Sequence, residues 1–494
     1  MVKKWSTVLV AMALLLAMAM PLVTMAADWP VRILTPPDTL DLPYSDYSSR
    51  DSTYAAGRDW VKVALESDNT MYLISTDDQG QSWENATLWH APSWNRDLDY
   101  CYDGTYFHFA TTDFTEESDN YSILYRRGAP QTDGSITWST ENWQVAVAYA
   151  GTYVYEDPKI AVGDDGEPFI AYEQADKDTF LDISICVARS NATEGGTWSA
   201  NWSDSQVSAD HNFFSVCCVA EDIYLVVSED EESQLYAWTY SNVGFADLVT
   251  LQAQGEEGDL FYVYQWSMVR SGDSVELVYS VYEALTESAV YWMLGRTYDT
   301  ASGLWSAPVT IDTWPYMNGA VEVDVSVALA GDDVYAFWPY EEWEPFDDGL
   351  INVAGQVRYA KKVDGLWEAP VVWIDVFNMG ISIDTYDLDT TAGTNAEEHV
   401  PVVFMGSTDE WMTSDTWFTG LDVTATAPTP PDPTDTGNFV PAVAAYMVMM
   451  LLINVPMVLA GRAGYEVSGT LLGLINLLFV LVALMVILFP YLST

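Results

Sequence analysis

The chain has 494 residues, with 18 Lys and Arg against 72 Asp and Glu, a net charge of −54, and it is 49% hydrophobic and 14% aromatic. A surface this acidic repels phosphate backbones and excludes nucleic acid as a natural partner, while the apolar content argues for a folded core rather than a disordered acidic chain. The acid is spread along the sequence, which fits solubility in a salty medium, or attraction of divalent cations or a basic partner.

The chain opens "MVKKWSTVLVAMALLLAMAMPLVTMAA", with Lys3 and Lys4, an apolar run from Val8 to Met20 and small residues at Ala26 and Ala27. This pattern predicts a secretory signal over residues 1–26 that takes no part in the fold. Cys101, Cys186, Cys217 and Cys218 are too few for a disulfide scaffold; one bridge or buried thiols inside strands are both open. No CxxC or His/Cys cluster suggests zinc. Asn85, Asn120, Asn191 and Asn201 each begin an N-x-S/T sequon, a candidate glycan site in an exported chain.

Residues 27–425 carry a repeated phrase, a short turn with a bulky aromatic near its end followed by a strand. It appears in "TDDQGQSWENATL", "TDGSITWSTENWQVA", "TEGGTWSANWSDSQV", "SNVGFADLVTL", "TASGLWSAPVTI" and "VDGLWEAPVVWI", and more loosely in "TSDTWFTGLDV". The aromatics are Trp83, Trp138, Trp198, Phe245, Trp305, Trp367 and Trp417. Ahead of these turns stand alternating, β-branched and aromatic segments such as "KIAVGDDGEPFIAYEQ", read as strand, tight Gly/Asp turn, strand, acidic loop, strand. Four-stranded antiparallel units recurring at this spacing predict an all-β fold, a β-propeller whose radial closure protects its sheet edges. Seven blades fit the span, with six as the competing count.

"TAPTPPDPTDTG", residues 426–437, reads as a stiff, extended linker. Within 438–494, "GNFVPAVAAYMVMMLLINVPMVLAG" and "VSGTLLGLINLLFVLVALMVILFP" are each long enough to cross a bilayer, predicting a two-helix transmembrane hairpin. Arg462 in the turn between them is predicted to lie in the cytoplasm, which puts the propeller on the extracellular side of the cell membrane.

Thr76, Asp78, Gly80 and Trp83 stand in the spacing Ser/Thr-x-Asp-x-Gly-x-x-Trp. This resembles the Asp-box, or BNR repeat, of sialidases and other secreted propellers. The resemblance implies a structural turn between the third and fourth strands of a blade, away from the ligand face, with Asp accepting backbone N–H groups and Gly at positive φ. A sialidase of this family uses three arginines, a Tyr/Glu pair and an Asp acid. Arg32 in "PVRILTPP" is the candidate first arginine, although Val31 and Leu34 depart from the family's aromatic-Arg-Ile-Pro motif. Tyr155, Glu156 and Asp157 are candidate catalytic residues for a glycosidase that works with two carboxylates.

The loops expected on the ligand face are acidic. Glu341, Glu342, Trp343, Trp338 and Tyr340 form a candidate ligand rim, with Trp89, Trp94 and Tyr155 as further stacking platforms. Glu229, Asp230, Asp347 and Asp348 are candidate Ca²⁺ ligands, since carboxylates suit a hard cation. Together these features predict a membrane-anchored surface module that binds a glycan, an envelope protein or a divalent cation, with a sialidase-like exo-glycoside hydrolase as the alternative.

Overall fold

The segments that alternate apolar and polar residues form antiparallel strands, because that period of two buries one face of each strand against a neighbouring sheet. The computed structural model describes residues 31–32, 40–41, 52–65, 70–90, 98–115, 120–149, 151–179, 184–190, 196–198, 202–207, 211–220, 223–230, 234–241, 244–253, 260–284, 289–315, 324–346, 349–375, 382–383, 389–390, 399–407 and 415–422. Among them there is no α-helix and no helix long and apolar enough to cross a membrane. The predicted signal, linker and transmembrane hairpin lie outside the described residues, as does Trp94.

The described strands make seven sheets of four or five strands. Six are each built by one continuous stretch of chain, within residues 40–90, 98–147, 153–207, 211–252, 260–315 and 326–375; they are the first to sixth sheets below. The seventh is composite: Val31–Arg32 pairs with Asp415–Asp422, so the N-terminal end of the described chain supplies the outer strand of the last sheet. The innermost strands of successive sheets are neighbours round a ring, a β-propeller arrangement.

Radially arranged inner strands cannot share a backbone ladder, and polar side chains tie them instead. Ser52 Oγ donates to the Pro401 carbonyl at 3.2 Å, Lys62 Nζ to that of Leu98 at 2.8 Å, and Ile160 N–H to Asp99 Oδ2 at 2.7 Å. Trp266 Nε1–H donates to Ser215 Oγ at 2.8 Å, and Val327 N–H to Ser267 Oγ at 3.2 Å. Each bond joins one sheet to the next, and most of these groups are buried, where an unmade bond would cost about 1–3 kcal/mol.

The aromatic of each repeated turn fills the gap between its own sheet and the preceding one. Trp138 belongs to the cluster between the first and second sheets, Trp198 to that between the second and third, and Phe245, Trp305 and Trp367 continue the series. Trp83 packs edge-on against Phe418 of the seventh sheet, with ring centroids 5.1 Å apart. The sheets fit tightly at this end: a Cβ on Gly134 would lie 2.6 Å from Glu84 Cβ of the preceding sheet, and one on Gly196 would collide with Ser139.

Trp417 corrects the expected series. It stands inside the third strand of the seventh sheet, opposite Arg32, with the N-terminal strand in the fourth position, so this aromatic lies in a strand and not on a turn. The segment "PYEEWEPFDDGLIN" also differs from expectation. Asp333–Phe346 and Gly349–Val363 remain paired as far as Phe346 and Gly349, so most of the expected acidic loop is a long hairpin.

Candidate functional site

Asp-Gly turns end the first strands of the second and third sheets, and the two turns face a common space. In "CYDGTY", Asp103 Oδ1 accepts the N–H groups of Thr105 and Tyr106, both at 2.7 Å, and Gly104 takes φ 92°. In "VGDDGEP", Asp165 Oδ1 accepts Glu167 N–H at 2.9 Å, and Gly166, at φ 77°, donates its N–H to Gly163 O at 2.9 Å. Positive φ is why glycine follows aspartate at both places.

These turns, with the inner strands of the first, fourth and fifth sheets, enclose a cavity of about 450 Å³. Its wall includes Ser52 and Thr53, Tyr100 to Asp103, Ala161 to Gly166, Cys217 and Cys218, and Arg270. The size lies within the range of small-ligand sites. It opens where first strands turn into second strands, the end of the ring that also carries the Thr76–Trp83 turn and not the opposite, acidic-loop end expected to be the ligand face: Arg58, just after the first-strand turn of its own sheet, reaches Asp77 Oδ2 at 2.9 Å.

The charged groups of the wall are organised. Arg270 holds Asp164 by two bonds, Nη1 to Oδ1 at 2.6 Å and Nη2 to Oδ2 at 3.0 Å, spanning from the fifth sheet to the third. Arg189 pairs with Asp165 Oδ2 at 2.8 Å and Glu167 Oε2 at 3.0 Å. Asp103 Oδ2 lies 2.9 Å from His108 Nε2, and His108 Nδ1 lies 2.8 Å from the Tyr125 hydroxyl. Burial drives the His108 pKa down and outweighs the pull of Asp103, so the ring is neutral near pH 7. Nε2–H then donates to Asp103 and Nδ1 accepts from Tyr125.

Burial would raise the Asp103 pKa, but bonds from His108, Tyr106 and Thr105 outweigh it and hold the carboxyl below its ordinary value. The Tyr102 phenol is pushed up by burial and by Asp103. All four cysteines are buried thiols outside any disulfide; desolvation, with Cys217 beside it, pushes Cys218 up to about 12. Its thiol therefore packs as a small apolar group and stays protonated.

Arg32 lies in the outermost strand of the seventh sheet, across the blade from the axial strands. Tyr155, Glu156 and Asp157 start the inner strand Tyr153–Val162, and Asp157, at φ 46°, pairs with Lys159 at 2.7 Å. Burial and the neighbouring Asp157 raise the Glu156 pKa. Five residues of extended chain, about 16 Å, separate this group from Ala161 at the cavity, so it sits at the other end of the strand.

Trp338 is 0% exposed and belongs to the core between the fifth and sixth sheets, which removes it from the rim. Tyr340 is partly exposed, with the Arg358 guanidinium 3.5 Å above its ring. Glu341, Glu342 and Trp343 continue its strand. Glu229 is buried and Asp230 follows it in the strand Ile223–Asp230, while Asp347 and Asp348 lie outside the described residues. Among the described residues no three His, Cys, Asp or Glu side chains converge as a metal set. Trp89 lies in the outer strand Glu84–His90 and Asn85 in the same strand is exposed; Asn120 opens the strand Asn120–Pro130, and Asn191 and Asn201 lie outside the described residues.

Arg126, Arg189, Arg296 and Arg358 occupy third strands and bind protein groups, and Arg270 is the one arginine lining the cavity among the described residues. Sequence reasoning gave no role to Asp103, His108, Tyr125 or Arg270; it read "DDG" simply as a tight turn and did not take up "YDG". Their recurrence at the ends of successive first strands was the available signal, since first strands line the axis.

No family model matches the chain, and no curated protein matches it. Among solved structures it is similar to the polysaccharide lyase Uly1, at 9% identity and TM-score 0.44 over 81% of this chain and 98% of that one. It is also similar to an α-L-arabinanase of Penicillium chrysogenum complexed with arabinobiose, at 10% identity and TM-score 0.38 over 80% and 98%. AofleA from Arthrobotrys oligospora matches at 11% identity and TM-score 0.36 over 68% and 89%. At such identities and scores these likenesses bear on neither substrate nor chemistry.

Proposed function

We propose that the protein is a cell-surface binding module, a β-propeller of Asp-box type that takes a small polyhydroxylated ligand of saccharide type in its axial cavity. The segment 438–494 anchors it in the membrane. The observation that carries this reading is the mixed wall of the cavity: the half-buried Tyr102 offers aromatic area beside the charged hydrogen-bonding groups of Asp103, Asp164, Asp165 and Arg270.

Binding suits this wall better than hydrolysis. A glycosidase needs a carboxyl group kept protonated as general acid. Asp103 is instead held ionised, and Asp164 and Asp165 are tied to guanidinium groups. The carboxyl whose pKa is raised, Glu156, sits at the other end of its strand.

Calorimetric titration of the purified full-length protein with an oligosaccharide panel tests the reading. Saturable binding that weakens about tenfold in Tyr102→Ala is expected, the loss of one well-packed aromatic contact. Turnover of a fluorogenic sialoside would instead favour the hydrolase.

A further inference from the structure

We propose that the folded ring itself touches the bilayer surface, through the leucine-tipped turns of its fifth and sixth sheets. The inference rests on the reading of residues 438–494 as a membrane anchor and adds a second, reversible contact to it.

The first observation is a phrase that two neighbouring sheets share. "GLWSAPV", 303–309, and "GLWEAPV", 365–371, each carry the end of a turn between third and fourth strands and the chain that follows it. The residue before the turn aromatic is Ser82, Thr137, Thr197 and Gly244 in the first four sheets, but Leu304 and Leu366 in these two. The turn therefore does not require leucine. Packing gains little from it either, since Leu304 is 67% and Leu366 73% exposed, with Val309, Val371 and Val372 exposed nearby. A single exposed leucine is ordinary, whereas the same one on adjacent turns, with exposed valines following, marks a contact surface.

The second observation is the direction of the chain. Asp415–Asp422 is the third strand of the seventh sheet, the next round the ring after the sixth, and Asp422 stands opposite His399, which opens the second strand. The described ring therefore releases the chain at the end that carries Leu304 and Leu366, one sheet on from Leu366. Residues 423–437 then lead to the apolar segment 438–494, with a reach of about 45 Å as a stiff extended chain. Such a tether holds the ring at an effective concentration of about a millimolar at the membrane, so an apolar contact too weak to recruit a free protein suffices. Charge favours lipid over a second copy of the chain: a copy would bring another −54 against the first, whereas a zwitterionic bilayer accepts apolar side chains at its interface without that repulsion.

The test uses the full-length protein inserted, one chain per disc, in phosphatidylcholine nanodiscs that carry a spin-labelled quencher lipid. A fluorophore is placed at Ser302→Cys, beside Leu304, or at Gln81→Cys, on the exposed turn of the first sheet; the native thiols are buried and leave the label to the new one. Quenching should be several-fold stronger at 302 than at 81. Leu304→Ser combined with Leu366→Ser, which installs the residue the first sheet uses, should weaken the contact about tenfold without lowering the thermal midpoint, because both leucines are exposed. Anionic lipid should weaken the contact at low salt, and about 1 M salt should restore it.

Equal quenching at the two positions, quenching unchanged in the double variant, or quenching at 302 that requires two chains per disc would overturn the inference while leaving the anchor in place; the last result would give the leucines to a second copy. Failure of the chain to enter the discs would overturn the anchor reading and the inference with it.

Discussion

Two stretches of this chain are chemically alike: "TDDQGQSW", 76–83, and "VGDDGEP", 162–168, each place adjacent aspartates before a glycine at positive φ. In the first, Asp78 is consumed by its own turn. Its Oδ1 accepts Ser82 N–H at 2.9 Å and the Thr76 hydroxyl at 2.8 Å, and its Oδ2 accepts the Ser82 hydroxyl at 2.7 Å. Burial works to raise its pKa, but the Ser82 and Thr76 bonds outweigh it and hold the carboxyl low. In the second, Asp165 serves the turn while Asp164 reaches Arg270 across the cavity. The difference is radial position. A turn joining third and fourth strands lies toward the outside of a blade, whereas one joining first and second strands lies at the axis, where several sheets converge.

The strongest way to break this comparison is through the outer turns, to which the contrast assigns packing alone. Trp198→Ala empties the gap between the second and third sheets, where Trp198 is buried beside Tyr125 at 5.3 Å between ring centroids. A loss of about 3–5 kcal/mol is expected, read from denaturant unfolding. Ligand binding by the fraction that remains folded should be unchanged.

A smaller effect separates the two aspartate turns directly. Asp165→Ala takes from Arg189, itself 5% exposed, one of its two carboxylates, and should cost about 2 kcal/mol and weaken ligand binding. Asp78→Ala removes local turn bonds only and should cost about 1 kcal/mol with binding intact. If Asp78→Ala weakened binding as much as Asp165→Ala, the division between outer and axial turns would be wrong.

The smallest effect is in pH. The His108 pKa is depressed in the fold, chiefly by burial. Below its ordinary value of about 6.5, the unfolded chain takes up a proton that the folded ring refuses. Stability contributed by the neutral ring is therefore full above that pH and falls on acidification toward the folded pKa, by at most about 1.4 kcal/mol per pH unit. Chemical denaturation between pH 7 and 5 should show this slope, and His108→Gln should flatten it. A slope unchanged in the variant would show that other groups set the acid response.

The sequence by itself determined the architecture, because a propeller is written in local terms. Alternating strands, Gly-containing turns and an aromatic at each third turn need only the chemistry of residues a few positions apart, and they made the all-β ring legible from "STDDQGQSWENATLW" to "VDGLWEAPVVWI". Where a local rule lost its context, it misled: Trp417 resembles a turn aromatic, but it lies inside a strand, with the N-terminal strand in the fourth position beside it. The site depended on the tertiary structure. Thr53, Asp103, Asp164 and Arg270 are separated by up to 217 positions, and ring closure alone brings them to one axis. Charge pattern cannot tell an aspartate that locks its own turn from one that faces a cavity, because the two differ in where the blade places them and not in the residues beside them.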